Sequence, residues 1–249
     1  RKCSVLAYCS ACQGVVTMSD EQCFVDSLNA VQAACDVLAH CDGPLALDCE
    51  GVNLGRSGRL TLLQVSVPGH AFVFDVQEIG GEPLFGAGFG LKHLLEDMNR
   101  LKVCFDCRRD CDVLAQHFGI RVAGIFDLQI ADIILRNDDE MEQLQRLRGF
   151  IHGGSIRGQP QNYENVVKLR GLGEVLKEFR FDGKEKLSNA EHLAWGERPL
   201  TPTLKEYAFK DVIDIRRLFE AMSTHAGFDE NMAKMCTAST RFADKLPPG

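Results

Sequence analysis

Apolar residues first recur every three or four positions behind Ser19-Asp20-Glu21: Phe24, Leu28, Val31, Ala34, Cys35 and Leu38. That spacing predicts an amphipathic helix over residues 20–40. The pattern then shortens to three apolar runs, Leu45 to Gly51, Leu60 to Val67 and Ala71 to Asp75, parted by Gly55, Ser57 and Gly58 and by Pro68 and Gly69. Runs of this length between turn residues predict an antiparallel meander. A helix is expected over 90–99, a strand over 102–106, a helix over 109–118, a strand over 120–127 and a helix over 128–135. Strands alternating with helices after an antiparallel start define an α/β class, a mixed β-sheet flanked by helices. Helices are further expected over 166–179, 188–195 and 203–222.

Three stretches fall outside this rhythm. Residues 1–26 read as a cysteine-rich N-terminal extension, the main domain spans 27–222, and residues 223–249 read as a C-terminal tail with a frayed end. Within the domain, residues 136–165 carry charge, adjacent glycines and a proline. Two readings stay open for this segment: a surface insertion, or a flap that meets substrate through Arg146, Arg148, His152 and Arg157 beside Phe150 and Tyr163.

Composition narrows the class. The chain has 249 residues, 45% hydrophobic and 25% charged, as in an ordinary globular protein with one generous core. No apolar run reaches the roughly 18 residues of a membrane span, and the first residues lack a secretory layout. A net charge of −7 argues against a broad basic surface for long duplexes but leaves room for a narrow basic groove. Eleven cysteines, an odd number scattered through strands and helices, read as reduced thiols of an intracellular compartment. Cytoplasm, nucleus and mitochondrion are not distinguished. Cys3, Cys9 and Cys12 crowd together, and Cys9-Ser-Ala-Cys12 has the spacing of half a structural zinc site. Cys23 or Cys236 would have to complete it; ordinary free cysteines are the other reading.

The chemistry begins in Pro44-Leu-Ala-Leu-Asp-Cys-Glu-Gly-Val52. Alternation along a strand points Asp48 and Glu50 to the same side, where two carboxylates repel unless a cation sits between them. Hard divalent cations take oxygen ligands, so further acids are needed. Asp110 stands where a strand gives way to a helix, and Asp211 lies in Tyr207-Ala-Phe-Lys-Asp211, where i, i+4 spacing puts phenol and carboxylate on one helix face. Each has a plainer reading: Asp110 and Asp127 as helix caps, Tyr207 as a packing residue, Asp211 as a solvated charge. Trp195 and Arg198 are expected to pack and to pin the loop before the last helix of the domain.

Asp-x-Glu on a strand, Asp at a strand-to-helix junction and Tyr-x3-Asp on a late helix, in this order, resemble the DEDDy 3′–5′ exonucleases of the ribonuclease D type. Leu62-Leu-Gln-Val, Phe126-Asp-Leu-Gln-Ile-Ala-Asp and Trp195-Gly-Glu-Arg-Pro-Leu-Thr-Pro strengthen the likeness, and Asp106-Cys-Arg-Arg-Asp110 is similar to the egalitarian-like branch. The resemblance covers about residues 27–222. It departs at Phe105-Asp106, where the ribonuclease D type often has His-Asn. It implies a ribonuclease H-like, DnaQ-like exonuclease fold in which Asp48, Glu50, Asp110 and Asp211 hold two Mg²⁺ or Mn²⁺ ions and Tyr207 orients a water. The implied activity is removal of nucleoside 5′-monophosphates from the 3′ end of single-stranded RNA, with Asn53, Leu54 and Gln64 near the terminal nucleotide. Two alternatives accompany it: a catalytically silent exonuclease-like domain that binds RNA or a protein partner, and a 3′–5′ DNA exonuclease. No membrane is implied, and protein partners are not specified.

Overall fold

The three apolar runs form the centre of a six-stranded sheet of order β1-β4-β3-β2-β5-β6. The structure, a computed structural model, describes residues 20–86, 88–136, 167–182 and 187–245. The strands are β1 (Glu21–Val25), β2 (Leu45–Val52), β3 (Arg59–Val67), β4 (His70–Asp75), β5 (Lys102–Cys104) and β6 (Ile125–Asp127). β2, β3 and β4 pair antiparallel, with Asp48 opposite Gln64 and Glu50 opposite Leu62. β5 and β6 add in parallel beside β2, and β1 adds in parallel beside β4. This is the expected mixed sheet.

The described helices are α1 (Leu28–His40), α2 (Val76–Ile79), α3 (Gly81–Phe85), α4 (Leu91–Glu96), α5 (Arg108–Phe118), α6 (Leu128–Arg136), α7 (Leu172–Glu178), α8 (Asn189–Ala194), α9 (Pro202–Ser223) and α10 (Phe228–Ala243). Strand alternation divides the core between the two faces of the sheet. Leu45, Leu47, Cys49, Leu63 and Val65 face α1, α4 and α5. Ala46, Leu62 and Val73 face the other way, onto Trp195 and the apolar side of α9 at Ala208, Val212 and Ile215. The even-numbered positions of β2, and with them Asp48 and Glu50, therefore look toward α9.

Local signals misled at both ends. The helix expected from residue 20 begins only at Leu28, and residues 21–25 are strand β1, with Phe24 opposite Val73 and Val25 opposite Phe74. Asp20, which reads as a helix-start acid, instead accepts from Arg216 at 2.7 and 2.8 Å. The backbone of β4 needs a partner on its outer side, and that long-range demand outweighs the local helical period. At the other end, the expected tail contains α10, which packs on β6 and α6 and buries Met235 and Ser239 completely.

Two further elements are shorter than expected. The strand over 120–127 is confined to Ile125–Asp127. The helix over 166–179 begins at Leu172, because Arg170 is drawn out of helical register to ion-pair with Asp132 and Glu178. Residues 137–166, with most of the expected insertion and its cations, lie outside the described residues, as do Cys3, Cys9 and Cys12.

Candidate functional site

The C-terminal half of β2 carries Asp48 and Glu50, both half-buried, on the face that meets α9. α9 starts at Thr201, whose hydroxyl accepts from the Leu204 N–H at 3.3 Å, with Pro202 in its first turn. The loop before it is pinned as expected: Arg198 donates to both oxygens of buried Asp75, at 2.6 and 2.7 Å. Ten residues into the helix Asp211 is 1% exposed, and one carboxylate oxygen from each of Asp48, Glu50 and Asp211 lies within 4.8 Å of the others. Three acids this close repel strongly, so a divalent cation or added protons must offset their charge. Tyr207, one turn before Asp211, is half-buried with its ring 6.1 Å from that of Trp195.

Asp110 is not one of this close group; it sits in the first turn of α5 and is 6% exposed. Burial holds its carboxyl well above the ordinary carboxylate range, the charges of Asp48, Asp106 and Asp127 push the same way, and Arg109 opposes them. The buried thiol of Cys49 is raised by burial first and by Asp110 next.

The three residues expected at a nucleotide differ in access. Asn53 is exposed in the turn after β2, with a left-handed φ of 51°. Leu54 is half-buried and packs against the core beneath α5. Gln64 is wholly buried, directly across from Asp48, so its expected contact with a nucleotide is corrected: it is an interior wall of the acid trio, and its amide has no hydrogen-bond partner among the described residues.

A second group was not foreseen as a site. Cys104 ends β5, Cys107 caps α5 and Asp127 ends β6; all three are buried, and their ligand atoms lie within 4.8 Å of one another. Asp127 is more than the expected cap. It accepts from the backbone N–H of Asp106 (3.0 Å), Cys107 (3.2 Å) and Gln129 (2.9 Å), while its own N–H donates to Ser239 Oγ at 2.9 Å. Burial pushes its carboxyl up to about 6, against the lowering by those three donors. Asp106, at a left-handed φ of 53°, takes a two-pronged contact from Arg108 instead. The signal available in the sequence was the Cys-x2-Cys spacing of 104 and 107, the same spacing that singled out Cys9 and Cys12. Among the described residues two clusters that could hold a metal are therefore present.

A mixed sheet with an acid pair on its central strand and a third acid on the covering helix defines an exonuclease-type α/β domain. The chain belongs to the 3′–5′ exonuclease family, whose model matches residues 23–226, and within it to the DEDDy, ribonuclease D-like group. It is similar to the human piRNA biogenesis protein EXD1, 37% identical over 160 residues, which is 64% of this chain and 28% of that one. The Xenopus laevis protein of the same name is 27% identical over 178 residues, 72% of this chain and 37% of that one. The chain thus spans roughly a third of the length of these curated relatives. Trypanosoma brucei RNase D superposes with a TM-score of 0.70 at 21% identity, over 92% of this chain and 75% of that one, which establishes the DnaQ-like, ribonuclease H-like fold.

These findings correct the expected activity. Relatives from five species carry the name of a piRNA biogenesis protein, not that of a nuclease. The expected tetrad of Asp48, Glu50, Asp110 and Asp211 is not a single cluster: three acids share one, and the metal-capable group at the second motif is built from two thiols and Asp127. Hard ions of the two-metal type need oxygen ligands on both sides of a phosphate. The hydrolase and exonuclease assignments therefore give way to a non-catalytic reading. Among the described residues no helix is long and apolar enough to cross a membrane.

Proposed function

We propose that this chain is an RNA-binding domain with an exonuclease fold that does not cut its RNA. The acid trio of Asp48, Glu50 and Asp211 is the focus of the site, and the reading rests above all on its rim. Exposed Arg59, cross-strand partner of Val52, extends over Gly196, where an added Cβ would come within 2.6 Å of the guanidinium. Exposed Arg109 lies along the turn at Gly55, and Arg56 in that turn pairs with Asp112 at 3.1 Å. Exposed arginines at the turn that follows β2, the strand carrying Asp48 and Glu50, suit a phosphate backbone that meets the protein partly through a divalent ion.

The clustered oxygens of Asp48, Glu50 and Asp211 fit one hard cation, Mg²⁺ or Mn²⁺, which would supply positive charge for a phosphate. Asn53 is exposed beside this rim and is assigned a contact to the nucleotide; Leu54 supports the turn from beneath. The functional unit runs from β1 through α10, because both end elements pack into the fold. The name carried by the EXD1 relatives favours RNA over DNA and over a purely protein ligand.

Binding of a short single-stranded RNA with a free, labelled 3′ end, followed by fluorescence anisotropy with the same samples run on a gel, tests the proposal. The expected result is saturable binding in Mg²⁺ or Mn²⁺ with RNA of unchanged length, weaker competition by the matching deoxyribo-oligonucleotide, and at least about a tenfold loss for Arg59→Glu with Arg109→Glu. Shortened RNA, or affinity indifferent to the two charge reversals, would sink it.

A further inference from the structure

We propose that Cys104, Cys107, Cys111 and Asp127 form a zinc site, distinct from the acid trio and independent of the RNA-binding reading. Three of the four ligands already converge, with Cys104 and Cys107 each 1% exposed and Asp127 wholly buried. Cys111 lies one helical turn beyond Cys107 and packs against the buried cluster that contains Cys104 and Cys107. The order Cys-x2-Cys-x3-Cys is thereby folded into a single knot of sulfur at the start of α5.

The geometry and the chemistry both select zinc. Ligands of a tetrahedral zinc with bonds of about 2.3 Å stand about 3.8 Å apart. The ligand atoms of Cys104, Cys107 and Asp127 lie within 4.8 Å, so each pair need close by no more than about 1 Å around an ion. Thiolates favour zinc over the hard Mg²⁺ and Mn²⁺. Asp127 is oriented for ligation by three backbone donors, the kind of outer support that fixes ligands at metal centres. The N-terminus of α5, where Cys107 is the cap residue, favours the thiolate form.

Such an ion would tie together the end of β5, the end of β6 and the first turn of α5. Through the Asp127 N–H on Ser239 it would also brace α10. Asp110 lies between Cys107 and Cys111, so the same clamp sets the flank of the acid trio.

The test uses the full chain, produced with zinc present and dialysed against a weak chelator, with metal measured by mass spectrometry. Retention of about one equivalent is expected, lost in Cys107→Ser and in Cys104→Ala and kept in Cys9→Ser with Cys12→Ser. Zinc absent from the wild type, or zinc lost with the Cys9 and Cys12 substitutions and kept in Cys107→Ser, overturns the site. Should the cluster variants fail to fold, two measurements on the wild type decide. Cobalt substitution must produce thiolate-to-metal charge-transfer absorption, and zinc must protect the peptide containing Cys104, Cys107 and Cys111 from alkylation in mild denaturant. Equal alkylation with and without zinc refutes the proposal.

Discussion

The acid trio and the thiol group flank α5's first turn and differ in almost every physical respect. The trio opens toward solvent through half-buried Asp48 and Glu50, while Cys104, Cys107 and Asp127 are sealed in the interior. Oxygen ligands at a surface suit a hard, exchangeable cation that can also touch a phosphate. Sulfur ligands in the interior suit a soft ion with a structural task. Family resemblance pointed to a single acidic centre; the thiol group beside it was not foreseen. The lesson is that an inherited scaffold can keep an acidic centre while the strand beside it turns to another chemistry.

The two regions also hang on different parts of the chain, which gives ways to uncouple them. Arg198→Ala leaves Asp75 buried without its cation, and removal of one partner of such a pair costs about 3–5 kcal/mol. Urea unfolding should show that loss, and calorimetry should show weaker Mn²⁺ binding at the trio with zinc content unchanged. If Mn²⁺ affinity holds, the loop at Arg198 does not position α9.

The opposite perturbation is Met235→Ala in α10, where a wholly buried side chain is removed and about 2–5 kcal/mol should be lost. Here zinc release under chelator should quicken while Mn²⁺ binding stays level. A stability change below about 0.5 kcal/mol would mean that α10 is not docked as described. Smaller again is Asp211→Asn, which removes one charge from the trio. Mn²⁺ affinity should fall at least about tenfold, about 1.4 kcal/mol, with thermal stability equal to or above that of the wild type. Unchanged affinity would remove the acid trio as a cation site.

The smallest expected effect concerns α8, which packs beside β2 on the acid side. Glu191 accepts from the Ser188 N–H at 2.7 Å, and that backbone donor, followed by the Ser188 hydroxyl, lowers its pKa. Because the folded value lies below the unfolded one, this cap contributes fully above the ordinary glutamate range and is lost as pH falls through the lowered value. NMR titration should place the Glu191 midpoint below the ordinary glutamate value of 4.5. A midpoint at or above it would show that the cap is not formed.

Much of the acid side was legible before folding. The period-2 pattern of β2 put Asp48 and Glu50 on one side, and the i, i+4 spacing of Tyr207 and Asp211 put them on one face of a helix; both inferences need only local geometry. The thiol side was harder to read because Asp127 lies 20 residues beyond Cys107, and nothing local says that β6 lies beside β5. Gln64 was misjudged for the same reason. Its neighbours along the chain suggest a strand near the first motif, but only the helices covering the sheet remove it from solvent.

The amino-acid order alone determined the meander, the family and the acids that meet on α9, since these depend on short-range periodicity and on motifs whose spacing is preserved. The tertiary structure decided that residues 21–25 complete the sheet and that α10 closes over β6. It also decided that Asp110 is buried in the first turn of α5 and that three cysteines gather at one helix start. Each of those outcomes depends on burial and pairing between segments distant in the chain, where the free energy of the packed whole outweighs the preference of any local stretch.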